Sequence, residues 1–428
     1  MWANKKTLTF VIISKDTTMK HYLPLYALLA FMPLASCSDD EPTVSPLPEK
    51  TYTGNESLEL RYNQSPMSGK SVAFIQNEEK ATLTMGSTVS PGDLSESLKG
   101  MPDIPGPGVL PGTPVLSLPV NLKPDGGVYS FSGNGETEYL TYTYEGNVNA
   151  SKMAFSFNDV TLKNQRLANT VWFPAPAEKN ADGTGYKSLP LHIVWECSLP
   201  PLLEGFDGTL QDAMTLLVTL PMIPAYGNTA YMSIAQVIEN ALKTVAFRPD
   251  GNAVITYMQS NNGAAQFAQA PLCMIQYVPL DDIMMNLYIN PTDLMGQILI
   301  NGSSHPDLPP NPFGKQSRAD YTAPLAAAIQ KLAPMLSQGF PLQYSLTPTE
   351  LQIFFNTETL VPLLKDIVIP MLEDPEIQQM IMEKIAANPS LASHSVLLKA
   401  LMQVFPRILE TTTRMELGFN LAAYPDAG

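Results

Sequence analysis

Arg414-Met415-Glu416-Leu417-Gly418-Phe419-Asn420-Leu421 puts an apolar side chain at every second position. Met415, Leu417, Phe419 and Leu421 fall on one side and Arg414, Glu416, Gly418 and Asn420 on the other. A period of two predicts a strand with one buried face. The stretch before it reads as helices, so strands and helices must share a core. The pattern apolar-x-apolar-x-apolar-Asn recurs at Met153–Asn158, Met285–Asn290 and Leu351–Asn356. The last three copies end at Asn290, Asn356 and Asn420, spaced 66 and 64 residues apart. Ile275-Gln276-Tyr277 precedes one copy and Leu342-Gln343-Tyr344 the next. Pro291-Thr292-Asp293-Leu294 and Thr357-Glu358-Thr359-Leu360 then read as helix starts. The expected unit is a hairpin, an Asn-ended strand and a helix, repeated. Asn suits a strand end because it tolerates turn geometry, and a fixed period points to stacked units. Alternating strands ending in Asn are also common, so chance and ancestry both stay open.

Helix signals punctuate residues 186–428. Ser233-Ile234-Ala235-Gln236 is a capping box opening an apolar face of Ile234, Val237, Ile238 and Leu242. Further helices are expected over Ala323–Ser337, kinked by Pro334, over Leu360–Leu372, from Asp374-Pro375, and after Ser393. Upstream, residues 51–170 alternate in short runs such as Leu58–Tyr62, Ala81–Met85 and Val115–Leu122. Pro124-Asp125-Gly126-Gly127 marks a hairpin. Short alternating strands at this spacing suggest a barrel or sandwich. The long Gly86–Pro114 stretch reads as a loop. The fold class expected is therefore α+β. An antiparallel, barrel-like β-domain over 51–170 precedes a domain of repeated β-hairpins with short helices over 186–428.

The N-terminus carries an address. Lys20 and His21 precede an apolar run, Tyr22 to Met32, and small residues follow at Ala35 and Ser36. This makes residues 1–36 a secretory signal peptide, and the run is too short to span a membrane. Met19-Lys20 begins a signal of normal length by itself, so Met19 competes with Met1 as the true start. Leu34-Ala35-Ser36-Cys37 resembles the lipobox of bacterial lipoproteins, which implies acylation of Cys37. Ser38-Asp39-Asp40-Glu41 resembles the acidic export signal of Bacteroides surface lipoproteins. That resemblance implies a lipid anchor in the outer membrane with the protein facing outward. Residues 37–50 then form an acidic, Pro-rich tether.

Composition excludes several functions. The chain has 428 residues with 25 basic and 40 acidic side chains, and its net charge of −15 opposes nucleic-acid binding. Residues 1–36 hold four Lys and one Asp, so the chain from Cys37 has 21 basic and 39 acidic residues, net −18. The 39 Pro limit long helices. Beyond Cys37 only Cys197 and Cys273 remain, each in an apolar, strand-like run. Buried free thiols and a cross-strand disulfide are both open readings.

Catalytic motifs are sparse. His192, His305 and His394 do not sit at metal-ligand spacing, and no His-Glu-x-x-His, Cys-x-x-Cys, Walker loop or Gly-x-Ser-x-Gly occurs. No cofactor or metal is expected. His192 alternates within a strand and reads as a structural His before a catalyst. Asp281-Asp282 is the densest internal carboxylate pair but falls in a turn, where Asp is favoured for backbone reasons. Trp172 is a candidate sugar platform or a core residue. Met335, Met371, Met380, Met382 and Met402 are candidates for an adaptable apolar surface or for core filling.

Tyr52-Thr53-Gly54, Lys123-Pro124-Asp125-Gly126-Gly127 and Tyr144-Glu145-Gly146 make residues 51–165 similar to the calycin-like lipid-binding domains of Bacteroides lipoproteins. The resemblance implies a β-barrel with a ligand and carries no catalytic residues. The function expected is a surface-anchored lipoprotein that binds an apolar ligand or a glycan without turning it over. A carboxylate-based glycan hydrolase and a structural subunit of a surface assembly are the alternatives. Ligand-binding residues and oligomeric state are not readable from these motifs.

Overall fold

The computed structural model describes residues 46–94, 98–183, 185–198, 208–221, 223–224, 231–261, 264–291, 293 and 322–423. The expected signal segment 1–36, Cys37, Ser38, Asp39, Asp40, Glu41 and His305 lie outside them. The described residues belong to one compact unit. The architecture is mixed α+β with mostly antiparallel sheets.

Alternation between Lys50 and Leu162 builds two sheets. One orders Lys50–Thr53, Ser71–Asn77, Lys80–Gly86 and Leu116–Asn121 side by side. The other orders Ser65–Pro66, Leu58–Tyr62, Met153–Leu162, Leu140–Val148, Val128–Glu136 and Lys123–Asp125. Alternate residues of both sheets are fully buried: Tyr52, Phe74, Leu83 and Met85 in the first, Tyr62, Leu140, Phe155 and Phe157 in the second. Each such side chain contributes roughly 1.5–3 kcal/mol by leaving water.

The expected barrel is not formed by the described strands. At one corner a single helical turn, Gly54–Ser57, carries the chain from the first sheet to the second. At the other only Leu122 separates Leu116–Asn121 from Lys123–Asp125. Crossing chain occupies both corners, where a barrel would need a continuous ladder of hydrogen bonds.

Ten strands make the third sheet. Its path runs Ala264–Gln269, Ala253–Asn261, Leu242–Phe247, Thr170–Pro174, Thr412–Ala423, Glu350–Phe355, Phe340–Leu346, Met284–Ile289 and Ile275–Pro279. Strand Leu191–Cys197 joins off this path, on Thr412–Ala423. The long strand therefore forks on one side. Its Leu421–Ala423 end pairs with Trp172–Pro174, and Thr412 to Phe419 pair with Leu191–Cys197. The sheet curls until Tyr277 N donates to Gly251 O at 2.7 Å and Asn252 bridges Gln276, linking strand Ile275–Pro279 to the turn before Ala253.

Among the described residues, helices pack on the start of the long strand. Leu397, Leu401, Ile408 and Leu409 of helix Ser395–Thr411 pack with Leu210, Ala213 and Leu360 onto Trp195 and Met415. The uniformly buried face expected for this strand is accordingly interrupted. Met415 and Leu421 are buried, whereas Leu417 and Phe419 are 38% and 44% exposed beyond the helical layer.

The two Gln-Tyr hairpins share a register. Tyr277 lies opposite Leu287 and Tyr344 opposite Ile353, in each case three residues before the terminal Asn. Both Tyr are buried, and their hydroxyls donate to turn carbonyls, Arg248 O and Asp281 O. Asn356 caps the following helix by accepting from Thr359 N. Asn158 and Asn420 instead lie inside strands. Cys273 occupies a left-handed turn position (φ 67°), not a strand, and both Cys197 and Cys273 are free thiols. Among the described residues no helix is long and apolar enough to cross a membrane.

Gly418 is the tightest point of the fork. A Cβ there would fall 1.9 Å from the Ile353 carbonyl oxygen. Gly127, by contrast, has a positive φ of 91° and open space around it. Gly418→Ala should destabilise by about 3 kcal/mol or more, since a backbone must move. Gly127→Ala should cost about 1–2 kcal/mol of conformational strain only. Urea midpoints of the two variants check this ranking.

Candidate functional site

The fork brings three strands of differing sequence to one point. His192, Gly418 and Phe354 face each other across Leu191–Cys197, Thr412–Ala423 and Glu350–Phe355. Gly418 has no side chain, so the His192 ring reaches over it and stacks on Phe354, with centroids 4.4 Å apart and planes at 26°. Glu416 shares this face. Its Oε2 lies 2.8 Å from His192 Nε2, and its Oε1 accepts from Arg414 Nε at 2.8 Å. Arg414 also reaches Glu196, at 3.6 Å. Burial pushes the Glu416 carboxyl upward, but the bonds from Arg414 and His192 outweigh it and hold it below its ordinary range.

The outer edge of strand Leu191–Cys197 is closed by a side chain. Gln211, on helix Leu210–Thr219, donates Nε2 to Ile193 O at 2.8 Å and accepts from Trp195 N at 2.9 Å. The carboxamide takes the place of a neighbouring strand, satisfying groups that an exposed edge would leave open. The helix is held there by a Thr209–Asp212 capping box.

A cleft of about 540 Å³ opens beside this edge. One wall is His192, Ile193 and Gln211; the floor is Asn420, Leu421 and Ala422 with Gln352. The hairpin Glu178–Lys179 with Tyr186–Ser188 forms the far side. Asn420 donates Nδ2 to Leu189 O and Leu191 O, at 3.1 and 2.9 Å. Its buried Oδ1 has no hydrogen-bond partner, one of three such side-chain atoms among the described residues. Two carboxylates, Glu178 and Glu350, line the same cleft, and Glu178 pairs with Lys187 at 3.3 Å. A second, shallower depression of about 370 Å³ lies on the polar outer face of the six-stranded sheet, over Ser130, Glu145 and Asn147.

The other sequence candidates are structural. Asp281 accepts from Ile283 N and Met284 N within its turn, and Asp282 pairs with Arg166 at 2.6 Å. Trp172 is buried, with its indole N–H on Thr170, so it offers no open platform. The five helical Met are all half-buried. His394 precedes helix Ser395–Thr411 without capping it. Among the described residues no group of three His, Cys, Asp or Glu can hold a metal. Glu416, Gln211 and Asn420 were not singled out for this site by sequence. The only sequence signal was that Glu416 and Asn420 alternate on the polar side of their strand, the side to which His192 was not assigned.

No family model matches the chain, and neither the curated proteins nor the solved structures gave a match.

The lowered Glu416 pKa sets a pH dependence. A carboxyl whose folded pKa is lowered contributes stability above its ordinary value, 4.5, and loses it as pH falls through the folded pKa. Glu416→Gln should therefore destabilise at pH 7, and the gap between variant and parent should narrow below that ordinary value. Denaturation at pH 7 and at pH 3.5 or so, on the scale set by ordinary carboxyls, measures it.

Proposed function

We propose that the chain is a surface-anchored lipoprotein that binds a glycan in the fork cleft without cleaving it. The observation that carries this reading is the cleft wall. Hydrogen-bonding side chains, His192, Gln211, Gln352 and Asn420, converge on one opening beside Tyr186. Hydroxyl-rich ligands are recognised by such fixed donors and acceptors with a ring nearby. An apolar ligand fits less well, because the sandwich interior is filled by Tyr62, Phe155, Phe157 and their neighbours. Acylated Cys37 followed by Ser38–Glu41 would hold the protein on the outer face of the outer membrane. The two Gln-Tyr hairpins are read as copies of one unit, which would make the sheet beneath the cleft a product of duplication.

Glu178 and Glu350 in one cleft favour a hydrolase as the second reading. Cleavage needs one carboxyl held protonated near neutrality. The described carboxyls with a clear shift, Glu59, Asp212 and Glu416, are all shifted down.

A glycan array probed with the detergent-extracted chain tests both readings. Binding is expected, and Gln352→Ala or His192→Leu should weaken it about tenfold, the worth of one hydrogen bond near 1.4 kcal/mol. Circular dichroism checks that the variants fold. Capture of fatty acids with no glycan bound would overturn the proposal, and shortened glycans abolished by Glu350→Gln would replace it with the hydrolase.

A further inference from the structure

In the fork cleft the carboxamide donors are spent on backbone, and acceptors are left over. Asn420 gives its Nδ2 hydrogens to Leu189 O and Leu191 O, which fixes the orientation of the carboxamide. Its Oδ1 is buried and accepts from nothing among the described residues. Gln211 likewise gives Nε2 to Ile193 O, and its oxygen is taken by Trp195 N. A buried acceptor without a donor costs free energy until something supplies the hydrogen. Asn420 lines the cleft, so a ligand can supply it.

His192 brings a second acceptor to the same opening. Its Nε2 lies 2.8 Å from Glu416 Oε2. The other oxygen of that carboxylate accepts from Arg414 Nε at 2.8 Å, and the bonds from Arg414 and His192 hold the carboxyl below its ordinary range. Glu416 is therefore ionised and has no hydrogen to give, so the hydrogen between the two side chains sits on Nε2. A neutral imidazole that donates from Nε2 keeps a lone pair on Nδ1, on the opposite side of the ring. Register sets where that side lies. His192 pairs with Gly418, and Glu416 and Asn420 stand two residues to either side of Gly418 on the same face. Nε2 is turned to Glu416, so Nδ1 is turned toward Asn420 and the cleft. Among the described residues nothing donates to it.

Resting on the glycan reading of this cleft, we propose that His192 Nδ1 and Asn420 Oδ1 act as a pair of acceptors for two neighbouring hydroxyl hydrogens, and that the ligand class is a neutral glycan with a free vicinal diol. Diagonal neighbours on one sheet face have backbones roughly 7–8 Å apart. Two adjacent hydroxyls of one sugar ring span such a gap with a hydrogen bond at each end. Ethers or esters on the diol leave both acceptors unpaired, and a site built to bond a hydroxyl rejects ligands that lack it. Charge narrows the class further. Lys187, the lysine of the cleft lining, is engaged by Glu178 at 3.3 Å, so Glu350 leaves the opening negative and a sulfated or uronic glycan meets like charge. Glu416 is a positioning residue that holds the ring in its accepting form.

Two measurements on the full-length chain test this. Heteronuclear NMR spectra of the histidine rings, recorded in mildly alkaline buffer with no ligand, should show His192 protonated at Nε2 alone, and loss of that signal in His192→Leu assigns it. A hydrogen on Nδ1 would overturn the proposal whatever binds in the cleft. Glu416→Gln, whose carboxamide donates as well as accepts, should let the Nδ1–H form appear; an unchanged ring spectrum would overturn the positioning role of Glu416. The second measurement is binding to an array of neutral glycans, from maltose and cellobiose to mannan and galactan oligomers, each printed beside versions with single hydroxyls replaced by fluorine. Fluorine keeps the size of the group and carries no hydrogen. Replacement at either of two adjacent positions of one ring should weaken binding about tenfold or more. Undiminished binding of every fluorinated form would overturn the proposal and leave the glycan reading standing, whereas no binding of any glycan on the array would remove that reading and this one together.

Discussion

The backbone of Gly418 lying against strand Glu350–Phe355 is the constraint on which the architecture turns. That approach lets one strand, Thr412–Ala423, serve three neighbours: Glu350–Phe355 on one side, and Leu191–Cys197 and Thr170–Pro174 on the other. With a side chain at 418 the two strands would separate, and His192 could not reach Phe354. The helical layer also depends on this strand. Its first residues supply Met415 to the cluster organised by helix Ser395–Thr411. Sheet, helices and cleft thus share one twelve-residue element.

Much of the local structure was legible because it rests on short-range rules. Leu58–Tyr62 appears with the bounds its alternation implied, and Ser233 forms the capping box its sequence announced. Pro375 opens its helix behind the Asp374 cap. Pro362 and Pro370 leave their mark as a π-helical stretch, Leu364–Val368, between two α segments. Such features need information from a few neighbouring residues only.

Long-range geometry was not legible in the same way. Whether the β-rich segment closes as a barrel depends on pairing at its corners, which alternation does not encode. The exposure of Leu417 and Phe419 depends on how far helices from elsewhere in the chain extend. The cleft joins residues near 178, 192, 211, 352 and 420, so its chemistry exists only after folding. Glu416 and His192 lie 224 positions apart, and nothing local tied one to the other. Asn290 was noticed as the end of a repeat, while its bond to Asp293 exists only in the folded chain.

On the proposed reading, recognition belongs to the fork cleft and not to the two N-terminal sheets. The acidic excess of the chain, net −15 before any processing, suits a neutral ligand met through hydrogen bonds better than a polyanion met through charge. Hydrogen–deuterium exchange of the full-length chain, with and without a glycan selected on the array, tests this division most directly. The account predicts slowed exchange in 175–193, 349–352 and 420–422 with the sandwich unchanged. Protection confined to residues 58–162 would contradict it.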